Sequence, residues 1–406
     1  MISNKQKNQM KKHNEIECIF IHCIYAIFIG ITAGLACGLL GQAVKLATQF
    51  RGEHSWLIYL LPIAGIVIVF VFKLLNVDLN YKTNKVIKTI ISKDEGICFQ
   101  IAPAIFISTV ITHLFGGSAG KESAGILIGT SVACFLANKT KNIKSDIRIV
   151  TMCGIAAGFS ALFGTPITAA IFAVEIVYSE ISLLAAVPVI ISSVIGKYAG
   201  SLVYMNNETY ILNNIPSYSL TSFEKTLLLI VLASAVSIIM VYSLEKTSDI
   251  FKRIRNDYSR IIIGGIIVSI LIVILGKDTY AGAGLNIIEQ AISGQTFNYE
   301  FLIKILLTSI TLGAGYKGGE IVPTLFIGAT FGSFVGPLFG LDAGFAAAVS
   351  MIILFSSNTN CPIASIALAY ELFGPSGIVY FILSSIISFL LTNKSSLYSN
   401  TTKLLK

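Results

Sequence analysis

Charge is scarce in this chain. Asp, Glu, Lys and Arg together make up 12% of its 406 residues, roughly half the share in an average soluble domain, so an ordinary water-exposed surface is excluded. Metal and redox patterns are missing too. The seven cysteines, at 18, 23, 37, 98, 134, 153 and 361, form no CxxC pair and mostly sit inside apolar runs, where they read as small packed hydrophobes. The four histidines (His13, His22, His54, His113) build no HExxH motif and no cluster with carboxylates, so no metal and no cofactor is expected. The net charge of +8 is gathered in the polar edges Lys5–Lys12, Lys139–Arg148 and Lys252–Arg260, a matter of membrane topology rather than of nucleic acid.

What is abundant is apolar sequence: 54% of residues are hydrophobic and the mean hydropathy is +0.80. The chain reads as an all-α, polytopic membrane protein. Trp56–Leu75, Thr226–Leu244, Arg260–Leu275 and Gly377–Leu391 are candidate spans, and without strict apolar alternation only helices satisfy the backbone in lipid. The start, MISNKQKNQMKKHNE, is polar and basic and no cleavage pattern bounds the apolar run that begins near Ile16. The positive-inside tendency places this N-terminus in the cytoplasm of a cell-membrane protein.

Other apolar segments look too short or too broken by Gly and Pro for simple spans: Gly125–Ala137, Met152–Phe163, Ile167–Tyr178, Ile321–Phe331 and Ile363–Leu372. Interrupted segments in matching places of two halves mark transporters built from repeats, and a repeat is present. GKESAGILIGTSV aligns with GGEIVPTLFIGATF so that Gly120 and Gly129 fall on Gly319 and Gly328. SALFGTPITAAIFAVEIV aligns with SSNTNCPIASIALAYELF, matching Ser160 to Ser356, Pro166 to Pro362 and Glu175 to Glu371. The expected division is a basic tail over 1–15, a first repeat over 16–205, a second over 206–393 and a C-terminal tail over 394–406, with no soluble regulatory domain. GxxxG spacings at Gly30, Gly34 and Gly38, and at Gly328, Gly332 and Gly336, are read as close helix packing.

A carboxylate at membrane depth costs several kcal/mol unless it meets water, a partner or a proton. Glu122 and Glu320 each follow glycines and open an apolar segment. Helix starts of this kind present unpaired N–H groups and a positive dipole end, so two of them, one per repeat, can cradle one anion. The plainer alternative is that each glutamate caps its own helix. A phosphate-binding P-loop fails because the GxxxxGK[ST] order is missing. Glu175 and Glu371, near the ends of their segments, read as holders of a helix end or of a water-filled vestibule, with proton relay by Glu175 as the alternative; Lys197 reads as snorkelling to an interface.

These residues carry a family resemblance. GGSAGKESAGILIG resembles the GxxxGREGP signature of the CLC family of chloride channels and anion/proton antiporters, and GGEIVPTLFIGATFG resembles its GxFxP signature. FGTPITAAIFAVEIV, NCPIASIALAYELF and the tyrosine of SLYS follow in the family's order. The resemblance implies a homodimer with one pore per subunit, each made of two inverted halves. It puts Glu122 on the family's gating glutamate, which occupies an anion site or takes a proton and swings away. It also puts Ile321 and Glu320 where backbone N–H groups hold the central anion, and Tyr398 on the tyrosine whose hydroxyl contacts the anion from inside; Lys121, beside the gate, and Tyr81 join Glu122, Glu320, Ile321 and Tyr398 as the anion-binding residues it implies.

The departures resemble the fluoride-exporting, fluoride/proton antiporter branch. The GSGIP motif has no copy and its place is taken by NYKTNKVI, with Tyr81 near the chloride-coordinating serine; Ile176 stands where chloride/proton exchangers carry an internal glutamate; and GxFxP has become GGEIVP. The gate reads GKESA, with Lys121, Ser123 and Ala124 in place of arginine, glycine and proline. The expectation is a transporter, not an enzyme, that exports fluoride in exchange for protons, with a chloride channel or chloride/proton exchanger as the alternative. An intramembrane enzyme using buried carboxylates is the reading from another class, and it lacks a paired dyad.

Overall fold

The computed structural model describes residues 4–81, 83–92, 97–139, 146–177, 186–205, 209–276, 278–392 and 395–398. Among them lie sixteen α-helices. Eight precede residue 202: α1 (Asn4–Glu53), α2 (Leu61–Leu74), α3 (Thr83–Ser92), α4 (Ile101–Leu114), α5 (Glu122–Lys139), α6 (Ile147–Phe163), α7 (Pro166–Val177) and α8 (Ala186–Ser201). Eight follow: α9 (Leu220–Lys252), α10 (Asp257–Leu275), α11 (Leu285–Ile292), α12 (Glu300–Ala314), α13 (Ile321–Val335), α14 (Ala343–Thr359), α15 (Pro362–Phe373) and α16 (Ile378–Thr392). The protein is a polytopic all-α membrane protein.

Local chemistry sets where several helices begin and end. Asp146, Asn256 and Asp342 accept backbone N–H bonds at the starts of α6, α10 and α14, while Gly164 and Gly276 close α6 and α10 in the left-handed conformation. Two expectations need correction. Ile321–Phe331 is no broken segment: with the 3₁₀ turn Gly336–Phe339 it makes a continuous 19-residue helical stretch, 83% of it buried inside the protein. Pro323 does not break it, because a proline in the first turn removes an N–H that has no intrahelical partner there anyway. Conversely, Gly377–Leu391 falls on the 15-residue α16, about 22 Å long and short of the roughly 30 Å of hydrocarbon. The basic start also joins the first apolar run directly, since α1 begins at Asn4 and continues to Glu53.

The two sets of eight meet in reciprocal contacts that pair the residues aligned in the sequence. Gly120 N–H donates to the Gly319 carbonyl at 2.7 Å and Gly319 N–H donates back to Gly120 at 2.6 Å. Ser118 N–H donates to Thr311 Oγ1 and Lys317 N–H donates to Thr112 Oγ1, both at 3.2 Å. At the other end of the fold, Glu175 accepts from the N–H groups of Ile363 (3.0 Å) and Ala364 (2.8 Å) at the start of α15. Glu371 accepts from Ile167 (3.0 Å) and Thr168 (2.7 Å) at the start of α7. Each carboxylate thus fills the unpaired donors of the opposite repeat's helix, where the macrodipole favours negative charge.

Glycines let helices touch backbone to backbone, as the packing reading expects. A Cβ on Gly34 or Gly38 of α1 would lie 2.7 Å from the carbonyl oxygens of Gly196 or Gly200 on α8. The same device joins α5 to α6, through Gly129 against Gly154, and α13 to α14, through Gly332 against Ala346. Cys37, Cys134, Cys153 and Cys361 are buried and unbridged, which fits their reading as small packing residues.

Candidate functional site

Two helices, α5 and α13, begin where the Gly120–Gly319 bridge ties the repeats together. The first helical bond of α5 runs from Gly125 N–H to the Lys121 carbonyl, and that of α13 from Thr324 N–H to the Glu320 carbonyl. The N–H groups of Ser123 and Ala124 on one side, and of Ile321 and Val322 on the other, precede the first intrahelical donors of their helices. Pro323 has no N–H to offer. Two helix starts with their positive dipole ends thus face the same bridge, an arrangement chemically suited to negative charge.

Glu122 is 2% exposed, and its Oε2 accepts from Lys121 N–H at 2.9 Å. The carboxylate is thus folded back onto the positive end of its own helix, where a free anion would also sit. The simple capping role and the gating role share this geometry; they differ in whether the carboxylate leaves. Glu320 stands at the start of α13 without capping that helix by its side chain. Its Oε1 instead accepts from the hydroxyl of Tyr398 at 3.0 Å. Tyr398 is 3% exposed.

Two cavities reach this region. The first, about 450 Å³, is lined by Tyr81, Lys317, Glu320 and Tyr398 together with Glu245 and Asp249 of α9. The second, about 510 Å³, is lined by Lys45, Arg51, His113, Lys121 and Tyr204. They lie toward opposite ends of α2. The second lies where α1 ends and α2 begins, and the first lies by the loop that follows α2 and by the C-terminal end of α9.

Tyr81, Glu320 and Tyr398 are thus brought to one cavity, Ile321 and Glu122 to the bridge beside it, and Lys121 to the other side. The Lys121 ammonium donates to the Tyr204 hydroxyl at 2.6 Å and lies 4.5 Å from that ring's centre. The two tyrosines of the first cavity, Tyr81 and Tyr398, are braced by residues that the motifs do not single out. Asn358 accepts at its carbonyl from Leu397 N–H (2.8 Å), and Asn84 Nδ2 donates to the Leu397 carbonyl (2.7 Å), fixing the segment that carries Tyr398. Lys317 donates to the carbonyl of Leu79, holding the loop of Tyr81. Asn358 has a sequence trace only in hindsight: it is one of few amides within an apolar helix. Buried Lys304, which donates to the carbonyls of Tyr280 (3.2 Å) and Gly282 (2.6 Å), stabilises the loop that closes the second cavity.

A profile of the family described as voltage gated chloride channel matches residues 78–393. The chain is 28% identical over 379 residues to the chloride/fluoride channel protein of Pseudomonas syringae pv. tomato, covering 91% of this chain and 84% of that one. It is similar to the crystal structure of a CLC-type fluoride/proton antiporter, with a TM-score of 0.89, 29% identity and coverage of 93% of this chain and 97% of the other. It also shares the fold of a slow cyanobacterial Cl⁻/H⁺ antiporter, at a TM-score of 0.78 and 19% identity. With its paired repeats, its two facing half-helices and a family match over more than half its length, the chain belongs to the voltage gated chloride channel, or CLC, family.

Proposed function

We propose that this protein is a secondary transporter that exports fluoride from the cytoplasm in exchange for protons, with Glu122 as gate and proton carrier. The observation that carries the reading is the Glu320–Tyr398 pair, 3.0 Å apart, beside the two half-helix starts. A carboxyl group hydrogen-bonded to a phenol there offers, when protonated, a donor beyond the backbone N–H groups. Fluoride is small and tightly hydrated, so a site that selects it needs such extra donors in place of lost water. The likeness to a CLC-type fluoride/proton antiporter supports the same reading.

Glu122 lies between the two cavities, buried on the positive end of α5. Deprotonated, it competes with the anion; protonated, it no longer does, so anion passage and proton movement become linked. Orientation follows from charge. The first cavity adjoins the ends of α2 and α9 near Lys252–Arg260, and Asp146 N–H donates to His22 Nε2 (2.9 Å), which puts the Arg148 end of α6 beside the N-terminal part of α1. The basic residues at Arg148 and Lys252–Arg260 support a cytoplasmic placement of that side by the positive-inside tendency, in a protein that this reading assigns to the cell membrane.

We further propose a homodimer. Helices α7 and α15 are 12 residues each, about 18 Å, too short to face lipid across its whole thickness. They nevertheless expose Ile167, Ile363 and Tyr370 at 51–61%, a face suited to a second copy.

The test is efflux from proteoliposomes followed by fluoride and chloride electrodes, with external pH recorded. Fluoride efflux accompanied by proton uptake is expected. Equal or faster chloride efflux would overturn the fluoride assignment, and flux without proton movement would make the protein a channel.

A further inference from the structure

Ser123 occupies the position directly after the gate, where the sequence departs from the glycine of the family signature. Its side chain is 1% exposed. Its Oγ is buried without a hydrogen-bond partner of acceptable geometry among the described residues, although the Tyr398 hydroxyl lies close by. On its other flank is the backbone of α13's start: a Cβ built on Gly319 would be 2.9 Å from this same oxygen. The hydroxyl therefore sits between the two half-helix starts, on the side of the Glu320–Tyr398 pair. Other buried hydroxyls, such as Ser108 and Thr130, also lack partners, but each of these lies within a helix away from both starts.

We propose that the Ser123 hydroxyl is a side-chain ligand of the transported halide, donating to the anion held between α5 and α13. A buried hydroxyl without a well-formed acceptor is unfavourable, and a halide in this pocket is an acceptor that satisfies it. Tyr81, which stands near the place of the serine in the missing GSGIP motif, lines the first cavity with Glu320 and Tyr398, and Ser123 adds a further side-chain hydroxyl one residue after the gate. Packing against Gly319 requires a small side chain at 123, which alanine would supply equally well; the hydroxyl is the part that packing does not explain.

The proposal rests on the reading of this region as the halide site. Binding of sodium fluoride and sodium chloride to the purified, detergent-solubilised protein is measured by titration calorimetry for wild type, Ser123→Ala and Ser123→Cys, together with halide/proton stoichiometry in proteoliposomes. The expected result is a dissociation constant raised about tenfold in Ser123→Ala for whichever halide the wild type binds more tightly, with unchanged stoichiometry. A hydroxyl-to-anion bond of ordinary charge-assisted strength gives a change of this order. Ser123→Cys, nearly the same size with a weaker donor, should also weaken binding, and it keeps the test decisive if the alanine variant is unstable. Binding within twofold of wild type in both variants would overturn the proposal. Wild-type protein that binds chloride at least as tightly as fluoride would overturn the fluoride reading alone, and wild type that binds neither would overturn both.

Discussion

Replacing Glu371 by alanine should weaken the fold by about 2–4 kcal/mol without touching the anion site. The carboxylate accepts three bonds at the start of α7: Ile167 N–H at 3.0 Å, Thr168 N–H at 2.7 Å and the Thr168 hydroxyl at 2.6 Å. Bonds to a charged acceptor are worth about 1.5–3 kcal/mol each in water-soluble proteins, but hydrogen bonds in membrane proteins average nearer 0.6 kcal/mol because the unfolded chain finds other partners. Three bonds between these limits, at a half-buried carboxylate, give the stated range. Glu371→Gln keeps an acceptor oxygen but loses the charge that complements the dipole of α7 and should cost about 1 kcal/mol. Glu175→Ala, which removes two bonds at α15, should fall between the two. Reversible denaturation in mixed micelles, followed by circular dichroism, measures all three. Losses below about 0.5 kcal/mol throughout would refute a structural role. A Glu175→Gln protein of normal stability with altered proton coupling would restore the relay reading.

Further outcomes follow from the site and the packing. Glu122→Gln should leave halide movement possible but abolish its coupling to protons, seen as fluoride efflux with no change in external pH. Glu320→Ala should lower the ratio of fluoride to chloride efflux by about tenfold, the worth of one good donor; an unchanged ratio would remove Glu320 from selectivity, whereas Glu320→Gln keeps a donor and should change less. Gly129→Ala puts a Cβ 2.2 Å from the Gly154 carbonyl oxygen and should cost at least about 1–3 kcal/mol by overpacking, read as a lower yield and midpoint of the folded protein. Gly52→Ala, with nothing within 4 Å of the new carbon, serves as its neutral counterpart.

Much of this architecture was legible because membrane folding leaves strong marks. The apolar runs, the glycines that permit helix contact and the alignment of Gly120 with Gly319 all follow from constraints that lipid imposes on backbone groups. The match of Glu175 with Glu371 was visible too, but not that each carboxylate caps the other repeat's helix: a sequence alignment shows equivalence, and crossing is a property of space. The length of α13 was misjudged for a related reason. Glycine and proline weaken a helix in isolation, yet Gly328 and Gly332 lie against the α14 backbone and recover in packing what they lose in propensity. Lys121 was placed with the anion ligands by motif adjacency, whereas its ammonium turns to Tyr204 in the opposite cavity, as successive residues at a helix start diverge. Asn358 acts through its own backbone carbonyl and Asn84 through an amide that meets the backbone of Leu397, contacts that carry no residue signature at their partner.

The bridge between Gly120 and Gly319 limits how this protein can work. Many two-repeat transporters expose a fixed site alternately by rocking one half against the other. Here each half supplies one wall of the proposed anion pocket, and the walls are joined by two backbone hydrogen bonds of 2.6 and 2.7 Å, with the crossed Ser118–Thr311 and Lys317–Thr112 bonds just behind. Rocking would break all four in a place with little water to replace them. The two starts are tied into one ring, so on the proposed reading the moving parts are small: a carboxylate that swings, a tyrosine that shifts, an ion that steps between them.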